Sequence, residues 1–301
     1  MLRWRLIAAA GILVPFFALL YLDDQHHGGR PGVYLALLAF AASGMAAAEL
    51  NDLLHARGLA VSRTANVLAA MTTTGISMTP LAWTAYPNVC PVGKMGWTTL
   101  GAACSIGGVF LFELRRYREP GESLQRLSGG ALAVGYIGLL MSCLIQLRQL
   151  APSRLGLIAI ISTILIVKLS DAGAYFVGRK FGRTKFTRVS PGKTMEGLVG
   201  GLVFAMGGGL LTFGWLLPKF VPGVERGSMA AFLGYSAMLM VAGLIGDLSE
   251  SLLKRDAGLK DSSRWLPGLG GVLDVVDSLL AAAPVSLLWW VSGWLAVSSP
   301  V

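Results

Sequence analysis

Residues 156–176 read GLIAIISTILIVKLSDAGAYF, and this stretch decides the class of the protein. Its length matches the roughly 20 residues that a helix needs to cross the ~30 Å hydrocarbon core of a bilayer. The rest of the chain is similar, because 54% of its 301 residues are apolar and only 14% are charged. A soluble domain carries about 25% charged residues, so the composition excludes a soluble globular protein and a disordered one. We therefore predict an all-α, polytopic integral membrane protein.

Eight further apolar runs predict that the chain crosses the membrane about nine times. The predicted spans are 6–22, 32–49, 66–86, 96–114, 130–147, 156–176, 197–217, 229–252 and 271–297. With the N-terminus in the cytoplasm, the cytoplasmic segments carry 18 Lys and Arg residues and the outer loops carry 6. Because basic residues are retained on the cytoplasmic side, this bias orients the chain. We expect a bacterial inner-membrane protein with its N-terminus in the cytoplasm and its C-terminus outside.

The two halves of the chain differ in their polar residues. Residues 1–150 combine apolar spans with small loops, whereas 151–301 contain nearly all of the unusual charges. We predict a transmembrane scaffold over 1–150 and a transmembrane catalytic region with basic cytoplasmic loops over 151–301. The three Cys and three His residues show no metal-binding spacing, which argues against a zinc enzyme.

Five acidic residues lie at the ends of three predicted spans. They are Asp171 in the sixth span, Asp247 and Glu250 in the eighth, and Asp274 and Asp277 in the ninth. In the orientation above, all five lie at one depth, just inside the cytoplasmic surface. Charged residues inside a membrane are costly and mark functional sites, and clustered carboxylates repel each other unless a cation lies between them. Because Mg²⁺ takes carboxylate oxygens together with substrate phosphates, we predict a Mg²⁺ site at Asp247, Asp274 and Asp277, and leave a second cation open.

Basic loops flank these carboxylates. One loop contains SPGKTMEG (190–197), and another contains Lys254, Arg255 and Lys260. Basic loops beside carboxylates suit a polyphosphate that carries its own metal, although the positive-inside tendency alone would also place basic residues there. A third segment, WLPGLGG (265–271), suits close approach of the backbone to a phosphate, or an ordinary turn before a helix.

The order and spacing of these motifs resemble the phosphatidate cytidylyltransferases, also called CDP-diacylglycerol synthases. The resemblance covers about 168–280 and rests on SDAGAYF (170–176), SPGKTMEG (190–197), SLLKR (251–255) with Lys260 and Asp261, and PGLGGVLDVVD (267–277). It implies a polytopic, Mg²⁺-dependent enzyme that joins CTP to phosphatidate and releases pyrophosphate. The partners implied are CTP, phosphatidate and membrane lipids, with a homodimer as one option and no nucleic acid.

The resemblance also implies roles for individual residues. It implies catalytic roles for Asp247, Asp274, Asp277, Lys254 and Arg255, the three aspartates being the metal ligands. It implies substrate-binding roles for Asp171, Ser190, Lys193, Glu196, Glu250, Lys260 and Asp261.

Four residues depart from the family signature. Leu269 stands where the signature has His, Val275 where it has Arg, Gly192 where Lys is typical, and Met195 where Trp is typical. These departures leave open a CTP-dependent lipid kinase, a cytidylyltransferase for another lipid, or a catalytically impaired paralogue. An ion-coupled transporter is a further alternative, but the charges lie at one cytoplasmic depth and the sequence shows no inverted repeat.

Overall fold

The computed structural model describes residues 2–26, 28–87, 89–263, 265 and 270–297, of which 2–9 and 297 are described by their backbone alone. Nine long helical segments account for most of this part of the chain. They are α1 (Leu2–Gln25), α2 (Val33–Ala56), α3 (Arg63–Ser77), α4 (Gly93–Arg116), α5 (Ser123–Arg148), α6 (Ser153–Phe181), α7 (Met195–Phe220), α8 (Met229–Asp256) and α9 (Val272–Val291). Helices α5 and α7 contain π-helical turns over Ala133–Leu139 and Thr212–Leu216. Two short strands, β1 (Glu225–Arg226) and β2 (Ala296–Val297), pair antiparallel.

The helices confirm the predicted all-α, polytopic membrane fold. Among the described residues, seven helices are long and apolar enough to cross a membrane: α2 and α4–α9. Each of the nine predicted spans overlaps one helix, but the number nine itself stays a prediction. Helix α3 has 15 residues, which at 1.5 Å per residue covers about 22 Å, less than a hydrocarbon core. It ends earlier than predicted because a 3₁₀ turn containing Pro80 follows over Thr79–Ala82.

The chain packs as two units. The first contains Met1–Gln146 and Leu253–Val276, and the second contains Leu147–Leu252 and Asp277–Val301. The division within α5 lies near the predicted boundary at residue 150, and the first unit also takes in the segment that leads into α9. The assignment of a scaffold role and a catalytic role to the two halves of the chain stays a prediction.

In the first unit, α3 is the central helix and packs against α2, α4 and α5. Small and hydroxyl-bearing side chains make these contacts close. Thr73 Oγ1 donates to Ser105 Oγ at 2.8 Å, and Asn66 Nδ2 donates to Asn51 Oδ1 at 3.1 Å. Such hydrogen bonds stabilise helix pairs where apolar surface alone gives little preference over lipid.

In the second unit, α6 and α7 pack through glycines. A Cβ atom on Gly200 would collide with the Val177 side chain and would lie 2.9 Å from the Gly173 carbonyl oxygen. A Cβ on Gly173 would lie 2.6 Å from the Phe204 ring. Small residues at these points let the two backbones approach closely, which is the usual way in which membrane helices associate.

Buried hydroxyl groups tie α6, α8 and α9 together within the same unit. The hydroxyl of Tyr235, which is fully buried, lies 3.0 Å from Ser162 Oγ and 2.8 Å from Ser286 Oγ. It also accepts a hydrogen bond from Trp290 Nε1 at 3.2 Å. This network fixes the neighbouring helices that carry Asp171, Asp247 and Asp277.

We expect Gly200→Ala to destabilise the protein by about 1–3 kcal/mol, because an added methyl group overpacks the α6–α7 contact. Gly207→Ala is the matched control on the same helix, since a Cβ there meets no other atom within 4 Å. Thermal unfolding in detergent, followed by tryptophan fluorescence, compares the two variants. Equal melting temperatures for both would contradict the close packing of α6 on α7.

Candidate functional site

In the first unit, Asp274 is held in place by three hydrogen bonds and one ion pair. It is the third residue of α9, and its Oδ2 accepts from the backbone N–H of Gly271 at 2.7 Å. The same oxygen accepts from the Ser262 backbone N–H at 3.0 Å and lies 2.6 Å from Ser262 Oγ. An acceptor side chain at the third position of a helix often binds the backbone N–H of the residue just before the helix. This contact is one half of a capping box and stabilises the N-terminus of the helix. Asp274 Oδ1 accepts from Lys254 Nζ at 2.5 Å, and both side chains are 11% exposed.

Glu49 of α2 is the functional candidate that the sequence analysis missed. Its buried carboxylate accepts from the backbone N–H groups of Val272 at 2.9 Å and Leu273 at 2.8 Å. Ser262 Oγ and Ser263 Oγ each lie 3.0 Å from it. Glu49 is the last residue of the predicted span 32–49 and lies close to the polar Asn51 and Asp52. From the sequence it therefore looks like an ordinary carboxylate that is exposed to water at the end of a helix. The available signal was a carboxylate still inside the apolar run, the same signal that singled out Asp171.

The glycines before Asp274 leave room for these two carboxylates. A Cβ on Gly271 would collide with Glu49 Oε2 and with Ser262 Oγ, and one on Gly270 would collide with Asp274 Oδ2. Gly270 also has φ +90, a backbone conformation that other residues rarely adopt. Leu269, which replaces the signature His, lies outside the described residues. Val275, which replaces the signature Arg, is half-buried on α9.

In the second unit, Asp247 of α8 is paired with Lys193. Lys193 Nζ lies 2.7 Å from Asp247 Oδ2, and Ser251 Oγ donates to Asp247 Oδ1 at 3.3 Å. Asp277 of α9 is buried and accepts from Ser278 Oγ at 3.1 Å. Helices α8 and α9 are in contact here, because a Cβ on Gly246 would collide with the Asp277 carbonyl oxygen. Lys193, Asp247 and Asp277 are thus held on elements of the same unit.

The loop over 182–194 presents Lys193 through a compact set of backbone contacts. The Lys193 N–H donates to the Ser190 carbonyl at 3.0 Å, and the Phe186 N–H donates to the Lys193 carbonyl at 3.0 Å. Glu196 accepts from the backbone N–H groups of Arg183 and Thr184, each at 3.1 Å. Ser190 and Glu196, both predicted to bind substrate, therefore at least shape the loop that carries Lys193.

The remaining predicted site residues occupy different environments. Asp171 pairs with Lys168 on the same helix, at 3.7 Å between Oδ2 and Nζ. Arg255 donates to the Leu259 carbonyl at 3.3 Å, in the turn that follows α8. Lys260 and Asp261 are exposed, and Glu250 is 1% exposed. The catalytic role of Arg255 and the substrate-binding roles of the others stay predictions.

The chemistry of the predicted metal ligands fits a hard divalent cation, and two of them, Asp247 and Asp274, are paired with ammonium groups. Asp247 and Asp274 offer carboxylate oxygens, the donors that Mg²⁺ prefers, and each is neutralised by a lysine. In the described part of the chain, no group of three or more His, Cys, Asp or Glu side chains is arranged to hold a metal ion. The Mg²⁺ site therefore stays a prediction.

Comparison with known proteins connects this chain to one family. Its residues 3–292 match the family model described as "Cytidylyltransferase family". It is 42% identical over 130 residues to a phosphatidate cytidylyltransferase of Haemophilus influenzae, covering 43% of this chain and 44% of that protein.

Two other proteins named phosphatidate cytidylyltransferase show comparable sequence identity to this chain. The Pseudomonas aeruginosa protein is 44% identical over 153 residues, which is 50% of this chain and 53% of that protein. The Thermotoga maritima protein is 34% identical over 180 residues, 59% of this chain and 64% of that protein. The matched segments thus span about half to two thirds of the length of these relatives. The family match is broader and takes in every element from α1 to α9, so this chain belongs to the cytidylyltransferase family.

Proposed function

We propose that this chain transfers the cytidylyl group of CTP to phosphatidate, giving CDP-diacylglycerol and pyrophosphate. The observation that carries the proposal is the family match over 3–292, which includes every predicted site residue. Relatives named phosphatidate cytidylyltransferase, 34–44% identical in the three cases above, support this choice of substrates. The lysines of the ion pairs in both units, Lys193 and Lys254, offer positive charge to a triphosphate and a lipid phosphate.

The chemical step requires charge neutralisation more than proton transfer. An oxygen of the phosphatidate phosphate attacks the α-phosphorus of CTP in line, a new P–O bond forms, and the bond to the β-phosphate oxygen breaks. Pyrophosphate leaves with the electron pair. Because the nucleophile is already an anion, positioning and electrostatic stabilisation provide most of the catalysis. A signature His lost at Leu269 is therefore less damaging than a phosphate-binding Arg lost at Val275.

The residues present divide this work between cation binding and phosphate binding. Asp247, Asp274 and Asp277 are the residues that would hold Mg²⁺, whose contribution when bound is to neutralise charge on the triphosphate. Asp274 Oδ2 accepts from Ser262 and Gly271, whereas Oδ1 is paired with Lys254 and is the oxygen that a cation would share with that lysine or take from it. Lys193 and Lys254, the ammonium partners of Asp247 and Asp274, would bind phosphate oxygens.

The first test measures products from purified protein in mixed micelles of detergent and phosphatidate, with CTP and Mg²⁺. We expect pyrophosphate release that depends on phosphatidate and stops with EDTA. Release of CDP without pyrophosphate would replace the proposal with a CTP-dependent lipid kinase. CTP binding without either product would indicate an impaired paralogue, and Leu269→His with Val275→Arg would then be expected to restore turnover.

Asp274→Asn tests the carboxylate at the start of α9. We expect pyrophosphate release to fall by at least 100-fold, because a neutral amide pairs neither with Lys254 nor with a divalent cation. Asp256→Asn is the control, since this exposed residue pairs only at the surface, with Arg57 Nε at 3.2 Å. Turnover near that of the control would remove Asp274 from the site.

We also propose that this integral membrane protein lies in a bacterial inner membrane, with its N-terminus in the cytoplasm and its C-terminus outside. The charge bias of the loops supports this orientation. Single cysteines in a cysteine-free background test it at opposite ends of α7. A membrane-impermeant maleimide added to intact cells should label Lys219→Cys and leave Lys185→Cys unlabelled. The reverse pattern would invert the orientation.

A further inference from the structure

We propose that Glu49 is a positioning residue, which ties Ser262 and Ser263 to the first turn of α9 and thereby orients Asp274, so that its Oδ1 faces Lys254 or a ligand that takes the place of Lys254. The inference rests on the proposed function for its catalytic consequence. Its structural part concerns contacts within the first unit and stands without that function.

Glu49 contacts residues that follow α8 and residues that begin α9. Its Oε1 accepts from the Val272 N–H at 2.9 Å and lies 3.0 Å from Ser263 Oγ. Its Oε2 accepts from the Leu273 N–H at 2.8 Å and lies 3.0 Å from Ser262 Oγ. The two amides belong to the first turn of α9, whose N–H groups have no partner within the helix. Each carboxylate oxygen thus joins one helix amide to one serine hydroxyl.

Ser262 connects Glu49 to Asp274. Its hydroxyl lies 3.0 Å from Glu49 Oε2 and 2.6 Å from Asp274 Oδ2, and its backbone N–H also donates to Asp274 Oδ2. If the Glu49 carboxylate is removed, Ser262 loses one of the contacts that hold it against Asp274. The Asp274 side chain then loses the fixed donors that turn Oδ1 toward Lys254.

The absence of a side chain at Gly271 makes room for the Glu49 carboxylate. A Cβ atom at Gly271 would collide with Glu49 Oε2, so the position of the glutamate depends on the glycine. In the described part of the chain, Glu49 makes no hydrogen bond or ion pair with the side chains predicted to be catalytic or to bind substrate. We therefore expect its effect on turnover to pass through Ser262 and Asp274.

The test compares wild-type protein, Glu49→Ala, Glu49→Gln and the control Asp52→Asn, all as the full chain in detergent. Asp52 lies on the same helix but is exposed, and its Oδ1 is 3.5 Å from Arg63 NH1. Hydrogen–deuterium exchange measures the amides of Val272 and Leu273. Steady-state kinetics measure kcat and KM for pyrophosphate release.

For Glu49→Ala we expect exchange at Val272 and Leu273 to accelerate at least tenfold and kcat to fall at least tenfold. KM for phosphatidate should change less than threefold, because Glu49 does not touch the lipid. Glu49→Gln should be intermediate, since its amide nitrogen cannot accept from one of the two backbone N–H groups. Asp52→Asn should stay within twofold of wild type in both measurements.

Unchanged exchange in Glu49→Ala would overturn the inference, as would a fall in kcat that only follows the folded fraction. If Glu49→Ala does not fold, Glu49→Gln provides the test. An exchange rate and a kcat equal to those of wild-type protein in Glu49→Gln would also overturn the inference. If wild-type protein releases no pyrophosphate, the proposed function fails, and the exchange measurement alone decides whether Glu49 holds the segment.

Discussion

A carboxylate near the membrane must find a hydrogen-bond donor or a cation, and this constraint organises both units of the protein. In the first unit, Glu49 meets it with two helix amides and the Ser263 hydroxyl. Asp274 meets it with backbone donors and Lys254. In the second unit, Asp247 meets it with Lys193. Each of these three carboxylates is therefore matched by donors or by a cation within its own unit.

Close backbone packing is the second requirement, and glycine provides it. Gly173 and Gly200 let α6 and α7 approach, and Gly246 lets α8 approach α9 at Asp277. Gly271 serves a different purpose, because it makes space for a carboxylate rather than for another helix. The same residue type thus shapes both the framework of the protein and its candidate site.

The class of fold could be predicted from the sequence because hydropathy and length alone determine which segments can cross a membrane. The end of α3 could not, since a 3₁₀ turn at Pro80 interrupts an apolar run that looks continuous. The pairings of Lys254 with Asp274 and of Lys193 with Asp247 also go beyond the sequence. The positions of these lysines indicate phosphate binding, but which carboxylate each one meets depends on tertiary packing. Glu49 was missed because its partners lie more than 200 residues away in the chain.

The pairs Lys193–Asp247 and Lys254–Asp274 have a consequence for ligand binding, because any ligand of one member must compete with the other member. In the proposed reaction, a cation that binds Asp247 or Asp274 would displace an ammonium group, and the displaced ammonium would then be available to a phosphate. Cation and phosphate uptake would be coupled in this way, since each removes the competitor of the other. When the anionic products leave, the same ammonium groups would return to their carboxylates. Release of the products would then be favoured, because the lysine and carboxylate side chains compete with them for the same partners.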